Sequence, residues 1–325
     1  MRTFGGRRAV THVSALLSLT LAASVVAGCS AAVDQAHSIQ TKLGRIDAIS
    51  EADVTTPTAE RGAAISVTYD GAGSRRELTA LIAAIDEVAT DADYPSFRLS
   101  LEPVSSEGDV LVVDDTFAGS KDEAEVLANW LTVLDVVLGD ITYTFEAGNE
   151  SIDVNAEAAV AHDVSEASRL RYGHPETTWT FHNGDTTFIA SGKVSSTDVM
   201  LFQDIQRSVS SDVLPAPAPS WRLERSDHHV LLDLDIAFPD APVDPHQLTV
   251  QRYGDDVARL VATALSAVDV AGLPVRMQLR NPTETGSDVF GYWISDQRPV
   301  RGRDRLMRGW DLWLVALAHD QPAAT

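Results

Sequence analysis

The chain has 325 residues, 44 % of them hydrophobic, with 47 acidic against 25 basic residues and a formal net charge of −22. That balance excludes nucleic-acid recognition, which needs a basic footprint to displace counterions, and it gives an anionic membrane no electrostatic hold on the protein. The single cysteine, Cys29, excludes an internal disulfide and a cysteine-based metal site.

Residues 1–8 carry Arg2, Arg7 and Arg8 and no acid, and an apolar run from Val13 to Ala27 follows. The run has the length of a signal-peptide core and falls short of the ~20 residues that span a bilayer as a helix. It ends in Val26-Ala27-Gly28-Cys29. These residues resemble the lipobox of bacterial prolipoproteins: an aliphatic residue, two small residues, then cysteine. The resemblance covers the first 29 residues only. It implies cleavage between Gly28 and Cys29 and a diacylglyceryl group on the Cys29 sulfur. One acyl chain holds a protein marginally, at ~0.8 kcal/mol per buried CH₂, whereas two chains anchor it durably. The expectation is therefore a signal peptide at 1–28 and a lipid anchor at Cys29 on the extracytoplasmic face of the cell membrane. Removing residues 1–28 takes away three arginines and no acid, so the net charge falls to −25. The strong preference for Arg over Lys, with much Ala, Val and Asp, resembles proteins of actinobacterial type. Residues 29–42 are small and polar and read as a tether, with a first helical turn from Asp34 as the alternative.

Beyond the tether the run Gly44–Val54 reads as a strand, and Ile65, Val67 and Tyr69 alternate with polar residues in a second. Ser74-Arg75-Arg76-Glu77 is a capping box, with Leu78, Leu81, Ile82, Ile85 and Val88 at helical spacing. Phe97, Leu99 and Leu101 alternate again, and Asp109–Phe117 is more continuously apolar. Ser120-Lys121-Asp122-Glu123 reads as a second capping box, before Leu127, Trp130, Leu131, Leu134 and Leu138, with Gly139 as the stop. Strands follow at Ile141–Phe145 and Ile152–Val154, then a weaker helix over 156–172. Thr178–His182 and Thr187–Ser191 form a hairpin around Asn183-Gly184. A helix from Ser195 turns Val199, Phe202, Ile205 and Val209 inward. Pro215-Ala216-Pro217-Ala218-Pro219 is an extended linker. Strands at Trp221–Arg225 and Val230–Phe238 precede a helix with Val257, Leu260, Val261, Ala264, Leu265 and Val268 on one face. Val275–Leu279, Val289–Ile294 and a last helix with Leu306, Trp310, Trp313, Leu314 and Leu317 complete the chain. Trp310 and Trp313 cannot both face the core centre.

Clean alternation implies sheets with one buried and one wet face, and favours antiparallel pairing. The order of elements repeats every 80–90 residues and resembles the ferredoxin-like α+β unit. The expected fold class is thus α+β: three tandem ferredoxin-like units in permuted ββαββα order, with antiparallel sheets and helices on one face. Their expected bounds are 43–139, 140–214 and 220–325, with 215–219 as linker. In this register Arg45–Asp53 pairs antiparallel with Ala64–Asp70. The ferredoxin-like fold hosts many functions and names none.

Catalytic constellations are missing. There is no HExxH, GxSxG or SxxK, and Val194 after Gly192-Lys193 rules out a phosphate loop. Asp91-Ala92-Asp93 and Asp233-Leu234-Asp235 lack the glycine and glutamate of a calcium loop. No catalytic residue, metal site or cofactor is therefore assigned. The best remaining cluster is Asp227, His228, His229, Asp233 and Asp235. On a strand, His229, Asp233 and Asp235 share the wet face opposite Val230, Leu232 and Leu234. A histidine beside carboxylates can shuttle protons or bind a metal, but a solvated sheet face is the expectation for these three. His182 and the arginines at 98, 222, 276 and 280 share such faces. The expected function is that of a non-enzymatic envelope lipoprotein that binds a protein or wall polymer. The alternative is an envelope hydrolase using the Asp/His face near 227–235. An importer's binding subunit would need parallel, doubly wound domains, against which the alternation argues.

Overall fold

A computed structural model of the chain describes residues 32–58, 61–71, 73–156, 160–171, 176–209, 218–238, 247–269, 271–283, 286–295 and 305–319. Cys29 and Pro215–Pro217 lie outside them. The protein is a mixed α/β structure, with twelve strands and seven helices among the described residues. A first helix, α1, covers residues 32–43. Then come β1 (Ile49–Thr55), β2 (Ala63–Tyr69), α2 (Arg75–Thr90), β3 (Phe97–Pro103), β4 (Val110–Asp114) and α3 (Glu123–Val136). They are followed by β5 (Asp140–Glu146), β6 (Asn149–Asn155), α4 (Val160–Arg169), β7 (Thr178–His182), β8 (Thr186–Ser191) and α5 (Ser196–Ser208). The chain continues with β9 (Ser220–Arg225), β10 (Val230–Asp235), α6 (Val250–Asp269), β11 (Val275–Thr283), β12 (Gly286–Ile294) and α7 (Arg305–His319). From β1 onward, two strands and a helix alternate to the end; β1, β2 and β3 pair in sequence order, and so do β5 to β12. Among the described residues no helix is long and apolar enough to cross a membrane.

The expectation of antiparallel, ferredoxin-like sheets is corrected by the pairing. β1–β2, β5–β6, β7–β8, β9–β10 and β11–β12 are antiparallel, but β2–β3, β6–β7, β8–β9 and β10–β11 are parallel. Each parallel pair is joined through a helix, which carries the chain back so that the next strand starts where the last one started. A ferredoxin-like unit would place β4, not β3, beside β2. Period-2 alternation could not reveal this, because it reports that one face is covered, whichever way neighbouring strands run.

The chain divides into two compact units: Met1–Ser106 with Val113–Ala124, and Glu107–Val112 with Glu125–Thr325. In unit 1, Ile65, Val67, Tyr69, Leu99 and Leu101 of the sheet are buried, as are Leu78, Leu81, Ile82 and Ile85 of α2. The capping box at Ser74 and Glu77 forms as read. Residues 32–42, expected to be a tether, are folded, because Ala36, Ile39 and Leu43 recur at helical spacing and are buried. The first strand pairs antiparallel with β2 as expected, with Asp53 opposite Ser66, but starts at Ile49, since residues 44–48 turn the chain out of α1.

In unit 2, helices α4, α5, α6 and α7 touch in chain order and so share one face of the sheet. Their face is aromatic. Trp179 stacks on Phe181 at 5.6 Å, Phe181 on Phe188, and Phe202 of α5 joins Phe188 to Trp221. Such pairs add ~0.5–1.5 kcal/mol each beyond the area they bury. Phe290, Trp310 and Trp313 continue the series; Trp310 is buried, its indole N–H donating to the Leu248 carbonyl at 2.7 Å, while Trp313 is half-buried. Helix α3 departs from its sequence reading. It starts at Glu123, whose carboxylate accepts from the Gly119 N–H at 2.6 Å, not from Ser120. It buries Val126, Leu127, Trp130 and Val133; just beyond its end Val137 is buried and Leu138 is 74 % exposed.

Candidate functional site

With helices α4 to α7 on one face, the opposite face of unit 2 is the open one among the described residues, and the strand register sets its side chains in rows. One row crosses all eight strands from β5 to β12: Asp140, Asn155, His182, Thr187, Arg222, Asp233, Gln278 and Tyr292 stand opposite one another in turn. It contains no aliphatic side chain. At ~4.8 Å per strand it runs for about 34 Å. The next row carries Thr142, Asp153, Thr180, Ile189, Glu224, Leu231, Arg276 and Ile294 in the same register, and is more apolar towards β12.

Charges on this face pair with one another. His182 Nε2 lies 2.8 Å from Asp153 Oδ1 on the neighbouring strand. Arg222 donates to Glu224 at 2.9 Å along β9, which places them on one face two residues apart. Arg280 lies 3.5 Å from both Asp233 and Asp235, so one guanidinium serves two carboxylates. The contacts beneath are loose: Arg280 Nε and Asp235 Oδ1 face each other at 3.5 Å as an ion pair without forming a hydrogen bond, and Asp233 Oδ1 is buried without a hydrogen-bond partner.

Asp233 differs from its expected state. It does face away from the buried Val230, Leu232 and Leu234, as read from the alternation, yet it is only 4 % exposed. It sits on an interior strand, between Arg222 of β9 and Gln278 of β11. Burial pushes its carboxyl above the usual aspartate value; Arg280 and Arg222 pull it down, and Asp235 and Glu224 add to the rise. His229 is not brought to this carboxylate. The strand begins at Val230, and His229 belongs to the preceding turn, where Ser226 Oγ lies 3.0 Å from its Nδ1 and accepts from its backbone N–H. Four residues of extended chain, about 13 Å, separate it from Asp233. Asp227 and His228 are exposed in the same turn. Among the described residues no group of three or more His, Asp or Glu is placed to hold a metal.

Sequence reasoning missed three buried acids that hold unit 2 together. Glu150 accepts from the Tyr143 and Thr177 hydroxyls. Asp163 of α4 accepts from the N–H groups of Leu138 and Gly139 at 3.0 and 3.2 Å. Asp198 caps α5 with Ser195 and binds Arg225 at 2.6 and 2.9 Å. Glu150 shares its strand parity with the buried Ile152 and Val154, and that was the available signal. A hollow of about 260 Å³ adjoins Asp198 and Arg225, but Arg225 is already engaged by Asp198 and the Ser191 and Lys193 carbonyls. Tyr292 was missed as a member of the row because a bulge between Leu279 and Arg280 breaks the parity of β11 against β12. The chain matches no known protein family, no curated protein and no solved structure.

Proposed function

We propose that the protein is a cell-envelope lipoprotein, anchored through Cys29, that acts as a non-enzymatic binding module by way of the open sheet face of unit 2. The observation that carries this reading is the row of eight polar and aromatic side chains in direct register, on a face where several of the charges form ion pairs with one another. Side chains held at fixed spacing on paired strands are pre-organised, so little conformational entropy is lost when a partner meets them. The acidic surface elsewhere keeps the protein soluble at the membrane. A hydrolytic reading has the elevated carboxyl of Asp233 in its favour, but it loses the histidine that the sequence offered it, since His229 lies about four extended residues away.

Two measurements test the proposal. The Cys29→Ser chain is expected in the fraction that carbonate washing releases, because lipid is the proposed hold; retention in the washed membrane would remove the anchor. A variant with Arg222→Ala, Gln278→Ala and Tyr292→Ala is expected to lose the partners that chemical crosslinking captures in native membranes. If it keeps all of them, the open face is not the binding surface.

A further inference from the structure

Unit 1 holds a hollow of about 650 Å³ where the first turns of α1 meet the end of β1 and the start of β2. Taking the lipid anchor at Cys29 as its basis, we propose that this hollow receives one acyl chain of an anionic membrane lipid, whose headgroup lies against Arg61.

The hollow is built into the fold. Helix α1 is tied on two sides: the Gln40 side chain donates to the Ala52 carbonyl of β1 at 2.8 Å, and the Gln35 side chain donates to the Asp93 carbonyl after α2 at 3.0 Å. The Tyr94 hydroxyl donates to the Thr55 carbonyl and holds the end of β1. Between these ties the chain places small residues, Ala36, Gly62 and Ala64. They are too short to close the space, and a Cβ added at Gly62 would meet no atom within 4 Å. The volume falls within the ~300–1,000 Å³ typical of sites for small ligands.

Its lining suits a row of methylenes with an anionic end. Val54 and Ala36 are buried in its wall, and Val33 stands beside them 57 % exposed, an apolar side chain left in water. Covering it and the methylenes of a lipid together is favourable. Acids outnumber bases by 47 to 25 in the chain, yet no carboxylate is among the described residues that line the hollow, and Arg61 supplies a guanidinium. A guanidinium beside an apolar wall matches a phosphate at the end of an acyl chain. The net charge of the whole chain repels an anionic bilayer, so this contact is local to a single lipid. An extended peptide would have to bond to β1 through its backbone, and the Ala52 carbonyl there is already engaged by Gln40.

Position brings the lipid within reach. Val33 follows Cys29 by four residues, a span of at most about 14 Å. A chain anchored at Cys29 therefore carries the hollow close to the bilayer, where one acyl chain of a lipid can enter it while the other stays in the membrane.

The test uses a phosphatidylglycerol with a diazirine at the end of one acyl chain. The probe is mixed into micelles of a non-ionic detergent with the full chain or with its Cys29→Ser variant, irradiated, and its adducts are mapped by mass spectrometry. Both proteins are expected to carry label within 33–40 or 54–64, and unlabelled phosphatidylglycerol is expected to displace it more effectively than phosphatidylcholine. Val33→Asp and Arg61→Glu, both at exposed positions that spare folding, are each expected to cut this label about tenfold, because they set a carboxylate where the acyl chain or its headgroup would lie. Val104→Asp, at an exposed apolar side chain of unit 1 outside the hollow, is expected to leave it unchanged. Label absent from these segments, label indifferent to Val33→Asp and Arg61→Glu, or equal displacement by phosphatidylcholine would overturn the proposal. So would label in the Cys29→Ser variant alone, which would show that the lipid on Cys29 itself fills the hollow. Should the label be missing while carbonate still releases the Cys29→Ser chain from membranes, the lipid site fails alone and the anchor stands. Label in the hollow with the Cys29→Ser chain retained in washed membranes would remove the anchor and leave the site.

Discussion

Asp233 and Arg225 show how differently two charged residues can be treated within one sheet. Arg225 is enclosed by Asp198 and two carbonyls, all within hydrogen-bond reach. Removing one member of such a pair strands the other, so Arg225→Ala is expected to cost about 3–5 kcal/mol, read as a lowered denaturation midpoint; an unchanged midpoint would show that the pair is not coupled to folding. Asp233 instead carries a carboxyl raised above 3.8, chiefly by burial. A raised folded-state value means that the folded protein holds the proton more tightly than the unfolded chain. The group's contribution therefore favours folding below pH 3.8 and is lost as pH rises through the higher folded value. Asp233→Asn, which keeps the shape and drops the charge, is expected to be more stable than the parent at pH 7, by on the order of 1 kcal/mol. The gap should close as pH falls towards 4. A variant less stable at pH 7 would mean that the Arg280 ion pair outweighs burial. The sequence placed Asp233 on the correct face, because alternation is a local property. It did not disclose the burial, which depends on strands β9 and β11 supplying neighbours from both sides.

At the scale of elements, the strands and most helix faces were legible and the connections between them were not. Leu78, Leu81, Ile82 and Ile85 of α2, and Val257, Leu260, Val261 and Leu265 of α6, are all buried where helical spacing put them. Helix α3 was misread because Leu and Val occur on more than one of its sides, so the residue pattern alone did not single out the face around Trp130. Its stop residue was identified for the wrong reason. Gly139 does not adopt a left-handed conformation; a Cβ there would lie 2.7 Å from the Asn155 carbonyl oxygen and 2.9 Å from the Ala156 Cα. The backbone entering β5 passes against β6 with no room for a side chain. Gly139→Ala is therefore expected to destabilise by about 1–3 kcal/mol, a drop of several degrees in Tm. Differential scanning calorimetry reads this directly, and an unchanged Tm would show that the two segments separate freely. The parallel crossovers went unread because a sheet covered by helices on one side alternates identically in either strand direction.

For the molecule as a whole, the arrangement of strand pairs and helices in strict succession has a functional consequence. Because every crossover in unit 2 delivers its helix to the same side, no crossover helix among the described residues lies on the other side, and register converts separate strand residues there into rows. Composition foreshadowed only part of this. The acidic composition argued against nucleic acid, the single cysteine rules out an internal disulfide, and the resemblance of residues 26–29 to a lipobox gave the anchoring proposal, but no single strand contains the row from Asp140 to Tyr292. It exists only across eight strands. The account rests on that surface being the one that meets a partner. The most direct measurement places a photo-crosslinking amino acid at Thr187, in the middle of the row, and in a second protein at Arg207, on the exposed side of α5. After irradiation in native cells, the account predicts a discrete adduct from position 187 and none from position 207. An adduct from 207 with none from 187 would contradict it.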